Sequence, residues 1–116
     1  MLRSKIHRAT LTGADLDYEG SIAIDRLLLD AADMLPGEQV HVLNVNNGSR
    51  LITYIIEAPA GSGTMLLNGP AARLGMKGDK VVVLAYGMFD NAEARSHRPK
   101  VVFVDDANRM TDKPSA

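Results

Sequence analysis

The sequence predicts a mainly β fold, a small barrel of six or seven short strands with short helical insertions. Three observations predict it. Aliphatic residues recur at period two in short runs, as with Ile22 and Ile24. The pair Asn47-Gly48, favoured in tight hairpin turns, separates QVHVLNV (39–45) from RLITYIIEA (50–58). The turn segments PAGSG (59–63) and MKGD (76–79) divide the remaining runs.

Taken in order, residues 5–11 and 21–24 read as the first strands. The period then changes. Asp25 is the expected N-cap of a helix whose apolar stripe is Leu28, Ala31, Ala32 and Leu35, and Pro36-Gly37 ends it. The hairpin at 39–58 follows, then a strand at 64–67 and a short helix around PAARLG (70–75). KVVVLAYGMF (80–89) and KVVFVDD (100–106) are further strands, separated by the polar, helical DNAEARSH (90–97). One barrel domain therefore spans residues 1–110, and the tail 111–116 has nothing to bury and is expected to be disordered.

The totals narrow the function classes. The chain has 116 residues, 46% hydrophobic but only 4% aromatic, so its core is aliphatic and modest in size, and assembly with other subunits would stabilise it. A net charge of −1 with scattered Lys and Arg argues against a nucleic-acid surface, which needs a concentrated basic face. Without cysteine there is neither a disulfide nor a zinc–thiolate site. The segment MLRSKIHRAT lacks the apolar stretch of a signal peptide, and VVVLAY (81–86) is too short to span a bilayer. A cytoplasmic protein with no membrane partner is expected.

Local motifs carry little chemistry. His7, His41 and His97 show no metal-ligand spacing, and His41 reads as a half-exposed strand residue. The glycines of GSG (61–63) and NGP (68–70) lack the strand–loop–helix context of a phosphate loop and read as turns. Two strands are less ordinary. Strict alternation puts Arg50, Ile52 and Tyr54 on one face of 50–58 and Leu51, Thr53 and Ile55 on the other, while Lys5 and His7 share a face. A cation and a phenol so placed could bind and protonate an anion, and they equally suit a solvated strand face. A non-enzymatic barrel module fits these residues too.

SKIHRATLTGADLDYEGSIAID (4–25) resembles the N-terminal segment of the pyruvoyl-dependent aspartate 1-decarboxylases. LLDAADMLPGEQV, NVNNGSRLITY, GSGTMLLNGPAA and GDKVVVLAYGMFDNAEA follow in that family's order and spacing, up to Met110. The resemblance implies a double-psi β-barrel that assembles as a homotetramer with active sites between subunits. It also implies self-cleavage between Gly20 and Ser21, giving a β chain 1–20 and an α chain 21–116. By that chemistry the Ser21 hydroxyl attacks the Gly20 carbonyl, an N-to-O acyl shift makes an ester, and β-elimination then hydrolysis leave a pyruvoyl group. Glycine at 20 suits this, since a residue without Cβ tolerates a strained turn and an open approach.

The implied reaction is decarboxylation of L-aspartate to β-alanine and CO2, for pantothenate and so coenzyme A synthesis. Residue 21 would carry the covalent electron sink, joined to the substrate amine as a Schiff base, so neither a metal nor pyridoxal phosphate is needed. Thr53 matches the residue that assists processing, and Tyr18 and Glu19 match residues lining the same turn. Lys5 and Arg50 match the cations for the two substrate carboxylates, and Tyr54 the proton donor to Cα. Ala71 matches a backbone donor, and Asn68 and His7 match further pocket residues. Because Thr53 and Tyr54 alternate, either a bulge or a site straddling the strand is required.

Two residues depart from the family pattern. Pro70 stands where many members have Ala, which removes one N–H from the substrate-binding stretch and could alter substrate choice. Asp17 stands where a His is frequent, beside the cleavage turn. A maturation helper protein is left unassigned.

Overall fold

The computed structural model describes residues 1–112. Nine strands among them form one mixed sheet: β1 (Leu2–Thr10), β2 (Gly13–Asp15), β3 (Ser21–Asp25), β4 (Gln39–Asn44), β5 (Arg50–Ala58), β6 (Met65–Asn68), β7 (Lys80–Tyr86), β8 (Lys100–Val104) and β9 (Met110–Thr111). The helices are α1 (Arg26–Ala32), α2 (Asn91–Ser96) and a 3-10 helix over Gly69–Leu74. In space the strands run β2-β6-β3-β5-β4-β7-β1-β8-β9. The fold is mainly β and barrel-like, as the sequence predicts, with two strands more than expected. Those two are β2 and β9, three and two residues long, too short to show alternation.

β3 leads into the site and anchors one end of the sheet. It pairs parallel with β5 and antiparallel with β6, and all five of its residues are buried. The apolar interior gathers Ile22, Ile24, Leu28, Val42, Ile55 and Val83, among others. Burying that aliphatic surface, at roughly 25 cal/mol per Å2, is the main force closing the sheet.

Asp25 ends β3 and begins α1. Its carboxylate accepts the Leu27 N–H at 2.9 Å, the expected N-cap, and also the N–H groups of Gly61 at 2.9 Å and Gly63 at 2.8 Å. The helix stops earlier than Pro36-Gly37. Asp33 takes a left-handed φ of 55° as the C-cap, and Leu35 is exposed where the sequence places it in the buried stripe. The chain needs that early stop, because Gly37 then donates to the Ile55 carbonyl at 2.7 Å and ties the loop to β5.

The β4–β5 hairpin forms around Asn47-Gly48, but its loop is wider than a two-residue turn. Asn44 and Ser49 close it, with Gly48 at φ 75° donating back to Asn44 O. β7 ends at Tyr86, three residues short of expectation, where Gly87 turns to bond Met1 O at 3.0 Å. Thr111 pairs with Phe103 in β9, so ordered strand enters the segment expected to be a disordered tail. Residues 113–116 of that tail lie outside the described residues.

Candidate active site

Where β3 begins decides where a site can form. Its pairing with β5 starts at Ile22 and Ile55, so among the described residues no strand covers that edge of β5 from Arg50 to Tyr54. A cleft of about 390 Å3 occupies the gap, lined by Gly20, Thr53, Tyr54, Pro70 and Ala71 with Leu51 and Leu74 as apolar wall. Burial along β5 confirms the alternation: Arg50, Ile52 and Tyr54 are exposed, Leu51 and Ile55 buried. The β4–β5 register runs unbroken from Gln39–Tyr54 to Leu43–Arg50, so there is no bulge. Thr53 and Tyr54 both reach the cleft because it lies along the open edge of the strand, where residues of either face are accessible.

Ser21, the first residue of β3, is fully buried. Its Oγ accepts from Asn68 Nδ2 at 3.0 Å, and its hydroxyl donates to the Glu19 carbonyl at 3.4 Å. The two residues are also cross-strand partners in β3 and β6, which places the Asn68 side chain against the serine. The Tyr18 side chain is exposed, and Asp17 anchors the turn through its N–H, which donates to Asp15 Oδ1 at 3.1 Å. Gly20 does not hold a positive φ. The left-handed glycine of the site is Gly69, at φ 63°, directly beneath the turn. In the sequence Gly69 reads as part of an ordinary NGP turn.

Arg50 and Tyr54 share the outer face of β5, roughly 13 Å apart along the strand. Arg50 does not line the cleft: its Nη1 lies 3.0 Å from His41 Nδ1, and His41 packs edge-on to Tyr86 with ring centroids 5.0 Å apart. Lys5 and His7 stand apart. Lys5 pairs with Leu84, Leu84 with His41, and His41 with Ile52, so Lys5 faces the same side as Ile52 and Tyr54 but lies about 14 Å from Ile52 across β7 and β4, and farther from Tyr54. One chain therefore does not bring Lys5 to the cleft. His7 lies edge-on to Phe103 at 5.9 Å, and its buried Nδ1 has no partner among the described residues. Burial, reinforced by the cations of Lys5 and Arg8, holds its imidazole below the usual histidine value.

Comparison with known proteins decides the family. The family model described as aspartate decarboxylase matches residues 1–111. The chain belongs to the aspartate decarboxylase family. It is 61% identical to the aspartate 1-decarboxylase of Dehalococcoides mccartyi over 111 residues, covering 96% of this chain and 90% of that protein. It is 58% identical to the enzyme of that name from Heliobacterium modesticaldum, covering 95% and 83%. With that of Maricaulis maris it shares 56% identity over 100% of this chain and 96% of the relative. For an aspartate decarboxylase family member, the buried Ser21 behind Gly20 is the group to account for first. Among the described residues no cluster of three His, Asp or Glu side chains is arranged to hold a metal, and no helix is long and apolar enough to cross a membrane.

Proposed function

We propose that this chain decarboxylates L-aspartate to β-alanine and CO2, for pantothenate and coenzyme A synthesis, after cutting itself between Gly20 and Ser21. The observation that carries this reading is the family match over residues 1–111, with Gly20 lining the cleft and a buried, anchored Ser21 next to it. The residues fit a pyruvoyl group generated in place. Ser21 is shielded from water, its oxygen is fixed by Asn68, and Gly20 places no side chain beside the bond to be cut.

For the cut, Asn68 orients the nucleophile, and Thr53, sharing the cleft with Gly20, supplies a hydroxyl donor for the developing oxyanion. For decarboxylation, the pyruvoyl group at residue 21 supplies an electron sink for the pair left when CO2 departs. Tyr54 holds a proton at its phenol for return to Cα. The Ala71 N–H orients the substrate, since Pro70 beside it has none. Arg50 and Lys5, neither of which lines the cleft of its own chain, would pair the two carboxylates of a substrate held between copies, Arg50 through a planar fork able to make two parallel bonds.

A homotetramer with active sites between subunits fits two features. The exposed apolar residues Ile52, Leu74 and Met76 lie on or near the cleft, and Lys5 is too far away to serve the cleft of its own chain. A neighbouring copy would supply Lys5 and His7. The composition fits a cytoplasmic enzyme whose partners are L-aspartate and its own subunits. Denaturing mass spectrometry tests the reading: fragments 1–20 and 21–116 are expected, the second lighter by one ammonia than a chain with N-terminal Ser. Intact chain alone, after prolonged warming, would overturn it.

A further inference from the structure

Residues 68 and 69 are neighbours, and each meets one of the two groups that must react. Asn68 holds the Ser21 oxygen at 3.0 Å. Gly69 lies against the other partner: a Cβ built there would stand 2.7 Å from Gly20 N, 2.7 Å from Tyr18 O and 2.8 Å from Gly20 Cα. All three contacts are with backbone, so no side-chain rotation could relieve them. Gly69 is also buried and holds φ 63°, a region that L side chains rarely adopt. Pro70 completes the contact, its Cδ lying 3.6 Å from the Cβ position of Gly20.

We infer that Gly69 is a positioning residue for self-cleavage, a bare surface across which the 18–20 turn lies so that the Gly20 carbonyl is held beside Ser21 Oγ, with Pro70 as its buttress. The inference rests on the proposed self-cleavage. In that step the Ser21 Oγ–H adds to the Gly20 carbonyl carbon, the bond from that carbon to Ser21 N breaks, and the hydroxyl proton ends on the freed nitrogen. No co-reactant is consumed, so the rate depends on how well nucleophile and carbonyl are held. Proline fixes its own φ and keeps the preceding glycine out of the right-handed helical region, which stiffens the surface.

Gly75 provides the control. A Cβ there would also be crowded, 2.7 Å from Leu11 Cδ1 and 2.9 Å from Leu67 Cδ1, but these are side-chain ends away from the turn, and its φ of −162° is extended. Freshly purified wild type, Gly69→Ala, Pro70→Ala and Gly75→Ala are incubated, and cleavage is timed by denaturing mass spectrometry alongside thermal unfolding. Gly69→Ala is expected to cut about a hundredfold slower, the scale of an ångström of misplacement. Gly75→Ala is expected to lose stability yet cut within about threefold of wild type, so cleavage does not follow melting temperature across the pair. Pro70→Ala is expected to cut about two- to fivefold slower, matching the entropic worth of one proline. Gly69→Ala cutting at the wild-type rate would overturn the inference. If Gly69→Ala does not fold, an unchanged rate in Pro70→Ala overturns it instead. Wild type that never cuts removes the self-cleavage reading beneath it.

Discussion

Arg50 Nη1 lies 3.0 Å from His41 Nδ1, and the chemistry of the pair allows one direction only. A guanidinium has no acceptor, so His41 Nδ1 must accept and its ring proton sits on Nε2. His41 thereby aims the cation proposed to receive a substrate carboxylate. His41→Ala is expected to raise KM for aspartate about three- to tenfold with little change in kcat, the net scale of one ordinary hydrogen bond at an exposed site. His41→Gln, which can still accept, should restore most of the affinity. Steady-state kinetics on fully cleaved protein reads both, and an unchanged KM in His41→Ala would show that Arg50 needs no such partner.

Ser21 and Tyr54 are proposed for different steps, so their variants should separate. Ser21→Ala is expected to stay uncut and inactive. Tyr54→Phe should cut normally and turn over at least about a hundredfold slower, the usual scale for loss of a general acid. Normal turnover by Tyr54→Phe would remove Tyr54 as proton donor.

Asn68 bonds Ser21 Oγ with a donor, so its replacement by a residue lacking one tests orientation of the nucleophile. Asn68→Ala leaves a buried hydroxyl without that bond, which costs about 1–3 kcal/mol where the bond is needed. Cleavage slowed roughly ten- to a hundredfold is expected by mass spectrometry over hours to days. A wild-type time course would mean that the Glu19 carbonyl alone holds the hydroxyl.

Two residues inside the fold should contribute to its acid limit. Burial alone would raise the Asp25 carboxyl, but the N–H groups of Gly63, Leu27 and Gly61, with Arg109 nearby, hold it below the usual carboxylate range. Its stabilisation is therefore present above the unfolded-chain value of about 4 and is lost as pH falls through the lower folded value. Asp25→Asn, with one acceptor oxygen for three donors, should cost about 2–4 kcal/mol at pH 7 and flatten that limb of melting temperature against pH. His7 acts earlier. Its imidazole is held low in the fold, so below about pH 6.5 the unfolded chain takes up the proton first and stability falls. His7→Gln should remove that upper limb while leaving the Asp25 limb in place.

The features legible in the sequence were those that depend on near neighbours. Alternation along Arg50–Tyr54 correctly sorts exposed from buried residues, and the Asp25 cap is visible from its position before an apolar stripe. What escaped depends on distant contacts. The sharing of one cleft by Thr53 and Tyr54 follows from β3 starting at Ser21 and leaving the β5 edge open, which no period in β5 reveals. Gly69 resembles any turn glycine until the turn at 18–20 is laid across it. His41 likewise reads as a half-exposed strand residue until Arg50, from the next strand, is seen to need an acceptor. The helix end at Asp33 is not legible in the sequence because the pull on the chain comes from Ile55 in β5.

The strand order carries a consequence for the molecule after its own chemistry. β1 sits between β7 and β8, and β2 pairs with β6, so both strands of residues 1–20 are bound to partners from residues 21 onward. A cut before Ser21 would leave the backbone in two pieces while the sheet stays whole. Melting would then also be a dissociation, governed by mass action, with a midpoint that rises with protein concentration. Cooling would not restore the starting chain, because the peptide bond that joined the pieces is gone. The particle would be a complex assembled from one gene product, and its fold could be reached along the chain only once.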